Sequence, residues 1–174
     1  MPSISAPSIL AASSNSSSSN QSATKSEAPA ASDGSLSAQG VDACKLIAAE
    51  DVKRISSYDG TTFDGKEGSC LINAGAGKLS IFVGLGLDPG ADMPGMERID
   101  LGNGIKGVTT SSGWLVTIIF PDSSTVNLSV SGSAMHGEDT TKALITKGDG
   151  TEADMPSQHQ AYAQAVIANI GKAR

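Results

Sequence analysis

Apolar and polar residues alternate most regularly at two places in the chain. Between Lys78 and Leu87, Leu79, Ile81, Val83, Leu85 and Leu87 alternate with Ser80, Phe82, Gly84 and Gly86. Between Thr125 and Ser131, Val126, Leu128 and Val130 alternate with Thr125, Asn127, Ser129 and Ser131. A period of two predicts strands with one face on a core and the other toward water. A sheet that is wet on one face is usually antiparallel. Trp114–Phe120 is the most apolar run and reads as a central strand, turned back by Pro121–Ser124. Cys70–Ile72 reads as a short strand. Asn103-Gly104 separates Ile99–Leu101 from Ile105–Thr110, which predicts a small hairpin.

A helical period appears near both ends of this region. Over Ala48–Ile55, Val52 and Ile55 share a face with Ala48 or Ala49, while Glu50, Asp51 and Lys53 are polar. After Pro156, Tyr162, Val166 and Ile170 recur at intervals of four, with Ala163 and Ile167 beside them, an amphipathic helix. Ser157 and Gln160 have the spacing of a capping box at its start. Asp59-Gly60 and Asp64-Gly65 read as turns. Residues 132–156 give no clear period; Thr140–Thr146 reads as a helical turn or a loop. Helix, strands, then helix defines an α+β class, expected as an antiparallel sheet of about five strands with the N-terminal and C-terminal helices packed on one face.

Composition moves the start of the folded region inward. Residues 1–40 hold fourteen Ser and eight Ala, no aromatic residue, and Lys25, Glu27 and Asp33 as their only charges. With so little to bury, this segment is expected to be a disordered tether, leaving 41–174 as one globular domain. A net charge of −6 argues against nucleic acid or an anionic membrane surface as partner. No apolar run approaches the roughly 20 residues of a membrane span. Leu10-Ala11-Ala12-Ser13 looks like a lipoprotein cleavage box with Ser13 where the lipid-accepting Cys would stand. Any membrane contact is therefore expected only through a lipid anchor that this chain does not contain. Asn15, Asn20 and Asn127 match the glycan acceptor pattern, which a Ser-rich chain produces by chance.

Cys44 and Cys70 are the only cysteines. After a secreted-type tether, a disulfide between them is expected rather than two buried thiols. Catalytic constellations are sparse. Gly102-Asn103-Gly104-Ile105-Lys106-Gly107 spells a dinucleotide fingerprint, but strand-like residues follow it where a helix would be needed. His136 and His159 lie far apart, without paired metal-ligand spacing. Asp149, Glu152 and Asp154 could offer oxygens to calcium, yet lack the spacing of a calcium loop and read as a charged surface loop. No catalytic residue, cofactor or metal ligand is assigned. The irregular segment from Asp88 to Gly104, rich in Gly and Pro, is where binding is expected, because long loops on a rigid sheet tend to carry it. Met93 and Met96 offer adaptable apolar contact there, and Trp114 joins them as a contact residue.

Around the cysteines the chain resembles a known family. Cys44, Leu46, Ile47, Asp51, Val52 and Cys70, behind a Ser/Ala-rich tether and before an Ala-rich C-terminal helix, resemble the actinobacterial cell-envelope lipoproteins of unknown function (domain-of-unknown-function family 3558). The sequence departs from that frame at Ala48, where a Thr or Ser cap is usual, and in lacking a Trp soon after the second Cys. The resemblance implies a location in the envelope and a fold type, and no activity. The expected function is a non-catalytic, extracytoplasmic, lipid-anchored domain that binds an envelope protein or a small ligand. A secreted enzyme or enzyme inhibitor, or a phage-borne envelope protein that blocks superinfection, is the alternative.

Overall fold

The computed structural model describes residues 36–86, 95–110, 113, 115–137 and 143–174. A 3-10 turn at Ala43–Lys45 leads into helix α1 (Ala49–Ser56). Seven strands then follow: β1 (Thr62–Lys66), β2 (Ser69–Ala74), β3 (Leu79–Leu85), β4 (Met96–Gly102), β5 (Ile105–Thr110), β6 (Leu115–Ile119) and β7 (Thr125–Ser131). Three short strands come next, β8 (Met135–His136), β9 (Leu144–Thr146) and β10 (Glu152–Asp154). Helix α2 (Met155–Asn169) and a last 3-10 turn at Ile170–Lys172 close the chain.

The class is α+β, and the large sheet is antiparallel, as expected. It has seven strands rather than about five, in the order β1-β2-β3-β7-β6-β5-β4. The chain lays down β1 to β3, crosses to the far edge at β4, and walks back to set β7 beside β3. The six segments read as strands correspond to β2 to β7, and the strand left unread is β1, whose Asp64-Gly65 reads as a turn by composition. All five of its residues are exposed, so it shows no alternation; the turn falls instead at Glu67-Gly68, where Gly68 takes φ 71°. The three-stranded sheet, in the order β10-β9-β8, lies in the stretch without a readable period, and Leu144–Thr146 is a strand. Strands of two or three residues are too short to show one.

Ile72, Ile81, Val83, Val116, Ile118 and Leu128 on the large sheet share one buried core with Ile47 and Val52 near the start and Tyr162 and Val166 of α2. At the level of 25 cal/mol per Å², each such side chain contributes about 2 kcal/mol on leaving water. The other face is drier than its polar sequence suggests. Thr125 and Asn127 of β7, expected outward in water, are 6% and 5% exposed, and Thr117 is 0% exposed. Thr117 Oγ1 donates to Asn127 Oδ1 at 2.5 Å, which satisfies both groups away from solvent. An acceptor asparagine so enclosed is closed to glycosylation in the folded chain.

Packing starts before residue 41. Ser37 and Ala38 are buried, and the Ala38 N–H donates to Ser124 Oγ at 2.7 Å. Residues 1–35, which hold most of the expected tether together with Ser13, Asn15 and Asn20, lie outside the described residues. The Cys44–Cys70 disulfide is present and joins the 3-10 turn ahead of α1 to β2. Among the described residues no helix is long and apolar enough to cross a membrane.

Both helices are held by polar groups at their ends. Ala48 precedes α1 in an extended conformation and has no side-chain acceptor, so one half of a capping box is missing. Asp51 supplies the other half, accepting from the Ala48 N–H at 3.2 Å. Asp51 also accepts from Arg54 at 2.9 Å and from Asn169 Nδ2 at 2.9 Å, which links the start of α1 to the end of α2. Helix α2 is capped by Asp154, not by Ser157. Asp154 Oδ1 accepts from the Ser157 N–H at 2.8 Å, and Pro156 sits in the first turn, where its missing N–H costs nothing. Between the helices, the Ser56 hydroxyl lies 2.9 Å from Gln158 Oε1 and 2.6 Å from the Tyr162 hydroxyl, all buried.

Candidate functional site

The β4–β5 hairpin forms one edge of the large sheet. Its tip is Asn103-Gly104, with φ 53° and 74°, the pair of left-handed residues that a two-residue hairpin turn requires. This hairpin is also what the Gly102–Gly107 fingerprint forms, with no helix behind it for a pyrophosphate to face. Gly107 is bare for a packing reason. A Cβ there would lie 2.7 Å from Ile99 Cγ1 and 3.0 Å from Leu101 Cδ1, so the two side chains fold over the glycine backbone. Leu101 and Ile105 complete the inner face. Gln164 Nε2 donates to Leu101 O at 3.1 Å, which pins the arm to α2.

The outer face of the hairpin has a different character. Arg98 and Asp100 of β4 and Lys106 of β5 are exposed there, and a cleft of about 460 Å³ at the hairpin is lined by them together with Ile99 of the inner face and Asn103 at the tip. Asp100 and Lys106 are cross-strand neighbours. Asp100 Oδ1 accepts from the Gly102 N–H at 2.8 Å, shaping the bulge before the tip. Charges of both signs, amide groups and an aliphatic wall therefore meet on one hairpin.

Of the three expected contact residues, Met96 opens β4 opposite Thr110 and is partly exposed on this arm. Met93 and Trp114 lie outside the described residues, as does the whole of Leu87 to Pro94, the first part of the expected binding segment. Arg98, Asp100 and Lys106 escaped the sequence reading because hairpin charges look like ordinary solvated residues. The alternation of Arg98 and Asp100 about Ile99 was the available signal.

The two histidines have separate surroundings. His159 is fully buried. Its Nε2 accepts from the Val130 N–H at 3.2 Å, so the proton sits on Nδ1, which donates to Met155 O at 3.2 Å. Val130 stands one position past the Leu115–Ser129 pair that opens β6, and the imidazole takes the N–H where that ladder stops. His159 is thus a buried group that ties α2 to β7. His136 Nε2 lies 2.9 Å from Thr146 Oγ1 and 3.2 Å from Glu152 Oε1. A nucleophile–base–carboxylate relay needs the two partners on opposite ring nitrogens, and here they share one.

The acidic group near the C-terminus is divided among local partners. Thr151, through its hydroxyl and its N–H, and Ser57 hold the Asp149 carboxyl down at about 2. The backbone N–H of Ser157, then its hydroxyl, holds Asp154 below the usual carboxylate range. Glu152 faces His136. Among the described residues no three His, Cys, Asp or Glu side chains gather where they could hold a metal ion. A second cleft, about 380 Å³, lies where Tyr58, Lys78, Ser133, Thr146 and Lys147 meet. Comparison of the chain with protein-family models, curated proteins and solved structures finds no match to any of the three.

Proposed function

We propose that this chain is a non-catalytic binding domain of the bacterial cell envelope, extracytoplasmic and tethered, whose contact surface is the outer face of the β4–β5 hairpin. One observation carries the reading. The hairpin is fixed from within by Gly107, Leu101 and Gln164, while Arg98, Asp100 and Lys106 line an open cleft beside it. A preorganised arm keeps the ordering cost of binding low. The disulfide supports the compartment, because such bonds persist where the surroundings are oxidising. The resemblance to the actinobacterial envelope lipoproteins supports the location.

The test is capture from envelope extracts on the immobilised, oxidised domain, with and without R98E/K106E. The double variant is expected to lose captured partner at least about tenfold at an unchanged thermal midpoint, as reversal of contact charges does. Equal capture by both proteins would place the surface elsewhere. Turnover of an envelope component by the domain would favour the enzyme reading.

A further inference from the structure

The opposite edge of the sheet has properties of its own. All five residues of β1 are exposed, and Phe63 is the most exposed large apolar residue among those described, at 42%. The direction of its backbone groups follows from its neighbours. The Leu85 N–H donates to Gly68 O, so Gly68 turns toward β3. Alternation along β2 then turns Ser69, Leu71 and Asn73 toward β1, where they meet Lys66, Asp64 and Thr62. Phe63 and Gly65 turn their N–H and C=O groups away from the sheet, and no described strand lies beyond them. Asp64 and Lys66 flank Gly65, and neither forms an ion pair among the described residues.

We propose that β1 is a self-association edge, on which a second copy of this chain adds its own β1 antiparallel, with the two-fold axis at Gly65. In that register Gly65 faces Gly65 of the second copy through the outward backbone groups. Asp64 lies opposite Lys66 of the second copy, and Lys66 opposite its Asp64. The closely spaced, non-hydrogen-bonded pairs of an antiparallel ladder are the ones that bring such charges together. Phe63 falls diagonal to Gly65 of the second copy, on the face where Cys44 Sγ packs over that glycine. Registers centred on Asp64 or Lys66 set like charges face to face, and one centred on Phe63 sets Asp64 opposite Thr62 and pairs no opposite charges. Charge thus selects the axis at Gly65. Gly65 also has a reason to be bare on its own account, since a Cβ there would meet Cys44 Sγ at 3.0 Å.

The β4 edge does not offer an equivalent strand. Its ladder shifts register between Asp100 and Gly102, and such irregularities bend an edge away from partners. Joining two β1 edges yields one continuous sheet across the dimer and leaves both β4–β5 arms at its far ends. This inference stands independently of the binding role proposed for those arms.

Sedimentation velocity on the oxidised full-length chain, over a concentration series, tests it. A reversible monomer–dimer equilibrium is expected. K66D and D64K each replace two attractions by two repulsions and are expected to weaken the dimer at least about tenfold. The double exchange D64K/K66D restores opposite charges across the axis and is expected to return the dissociation constant to within about threefold of the original. Near-UV circular dichroism identifies any single variant that fails to fold, and the double exchange is then read alone. Carbodiimide coupling of a mixture of light and isotopically heavy chains should give an Asp64–Lys66 isopeptide carrying one label of each kind. A monomer up to the solubility limit overturns the proposal. So does a dimer indifferent to both single reversals, a double exchange that fails to dimerise, or a coupled dimer without the mixed-label Asp64–Lys66 peptide.

Discussion

Asp51 shows how much one side chain can hold. Burial pushes its carboxyl up, but the hydrogen bonds from Arg54, the Ala48 N–H and Asn169 outweigh burial and hold it below the usual carboxylate range. A carboxylate with a lowered folded pKa contributes stability above its unfolded pKa and loses that contribution as pH falls through the folded value. Asp51→Asn is expected to cost about 1 kcal/mol near neutral pH, the scale of a lost cap. The variant should lose less than the parent as pH falls below about 4, because it has no charge there to lose. Thermal unfolding across that window checks both statements. The opposite change is available next door. Ala48 is extended, at φ −84° and ψ 162°, so the hydroxyl of Ala48→Ser can accept from the Glu50 N–H or share the Asp51 N–H, which donates to Ala48 O at 3.0 Å. A gain of about 0.5–1 kcal/mol is expected, read as an increase in the denaturant midpoint.

At the scale of elements, His159 connects a helix to a strand. Its imidazole takes the Val130 N–H where β6 gives out, and no aliphatic side chain can do that. His159→Leu keeps the apolar volume and leaves the Val130 N–H unpaired in a dry interior, which is expected to cost about 2 kcal/mol. Urea unfolding measures the loss, and faster amide exchange at Val130 would locate it. These elements were unequally legible in the sequence. β3 and β7 could be read because alternate residues enter one core, β6 because it is the most apolar run, β4 and β5 because Asn103-Gly104 turns between them, and α2 because Tyr162, Val166 and Ile170 are buried every fourth residue. β1 could not be read, because Thr62–Lys66 buries no side chain and is held by backbone bonds alone. The cap of α2 was misassigned to Ser157 because a Ser and a Gln three residues apart satisfy the pattern. Asp154 with Pro156 satisfies the geometry. Burial of Thr117 and Asn127 was invisible because each is polar by itself, and only their cross-strand pairing makes the site dry. For the contact arm, the turn at Asn103-Gly104 was legible, whereas the gathering of Arg98, Asp100 and Lys106 around a cleft depends on strand register.

At the scale of the whole molecule, the beginning and end of the folded region are tied together. The Asp42 N–H donates to Ala173 O at 2.8 Å, and Ala173 is fully buried. Two residues further on, Cys44 is bonded to Cys70 across a sequence separation of 26. The 3-10 turn that carries Cys44 thus anchors the C-terminus, the first helix and β2 at once. In the chain-entropy account, closing a loop of this length restricts the unfolded chain by about 3 kcal/mol. Reduction is therefore expected to lower the thermal midpoint by about 10 °C, using the usual entropy of unfolding for a domain of this size. The effect should reach further than the cross-link, because Cys44 Sγ lies beneath Gly65 and the turn packs on β1 to β3. Calorimetry of oxidised and reduced protein, with the thiols of the reduced form blocked, measures the difference. An equal midpoint in both forms would mean that Asp42, Ala173 and the core hold this end of the molecule without the disulfide.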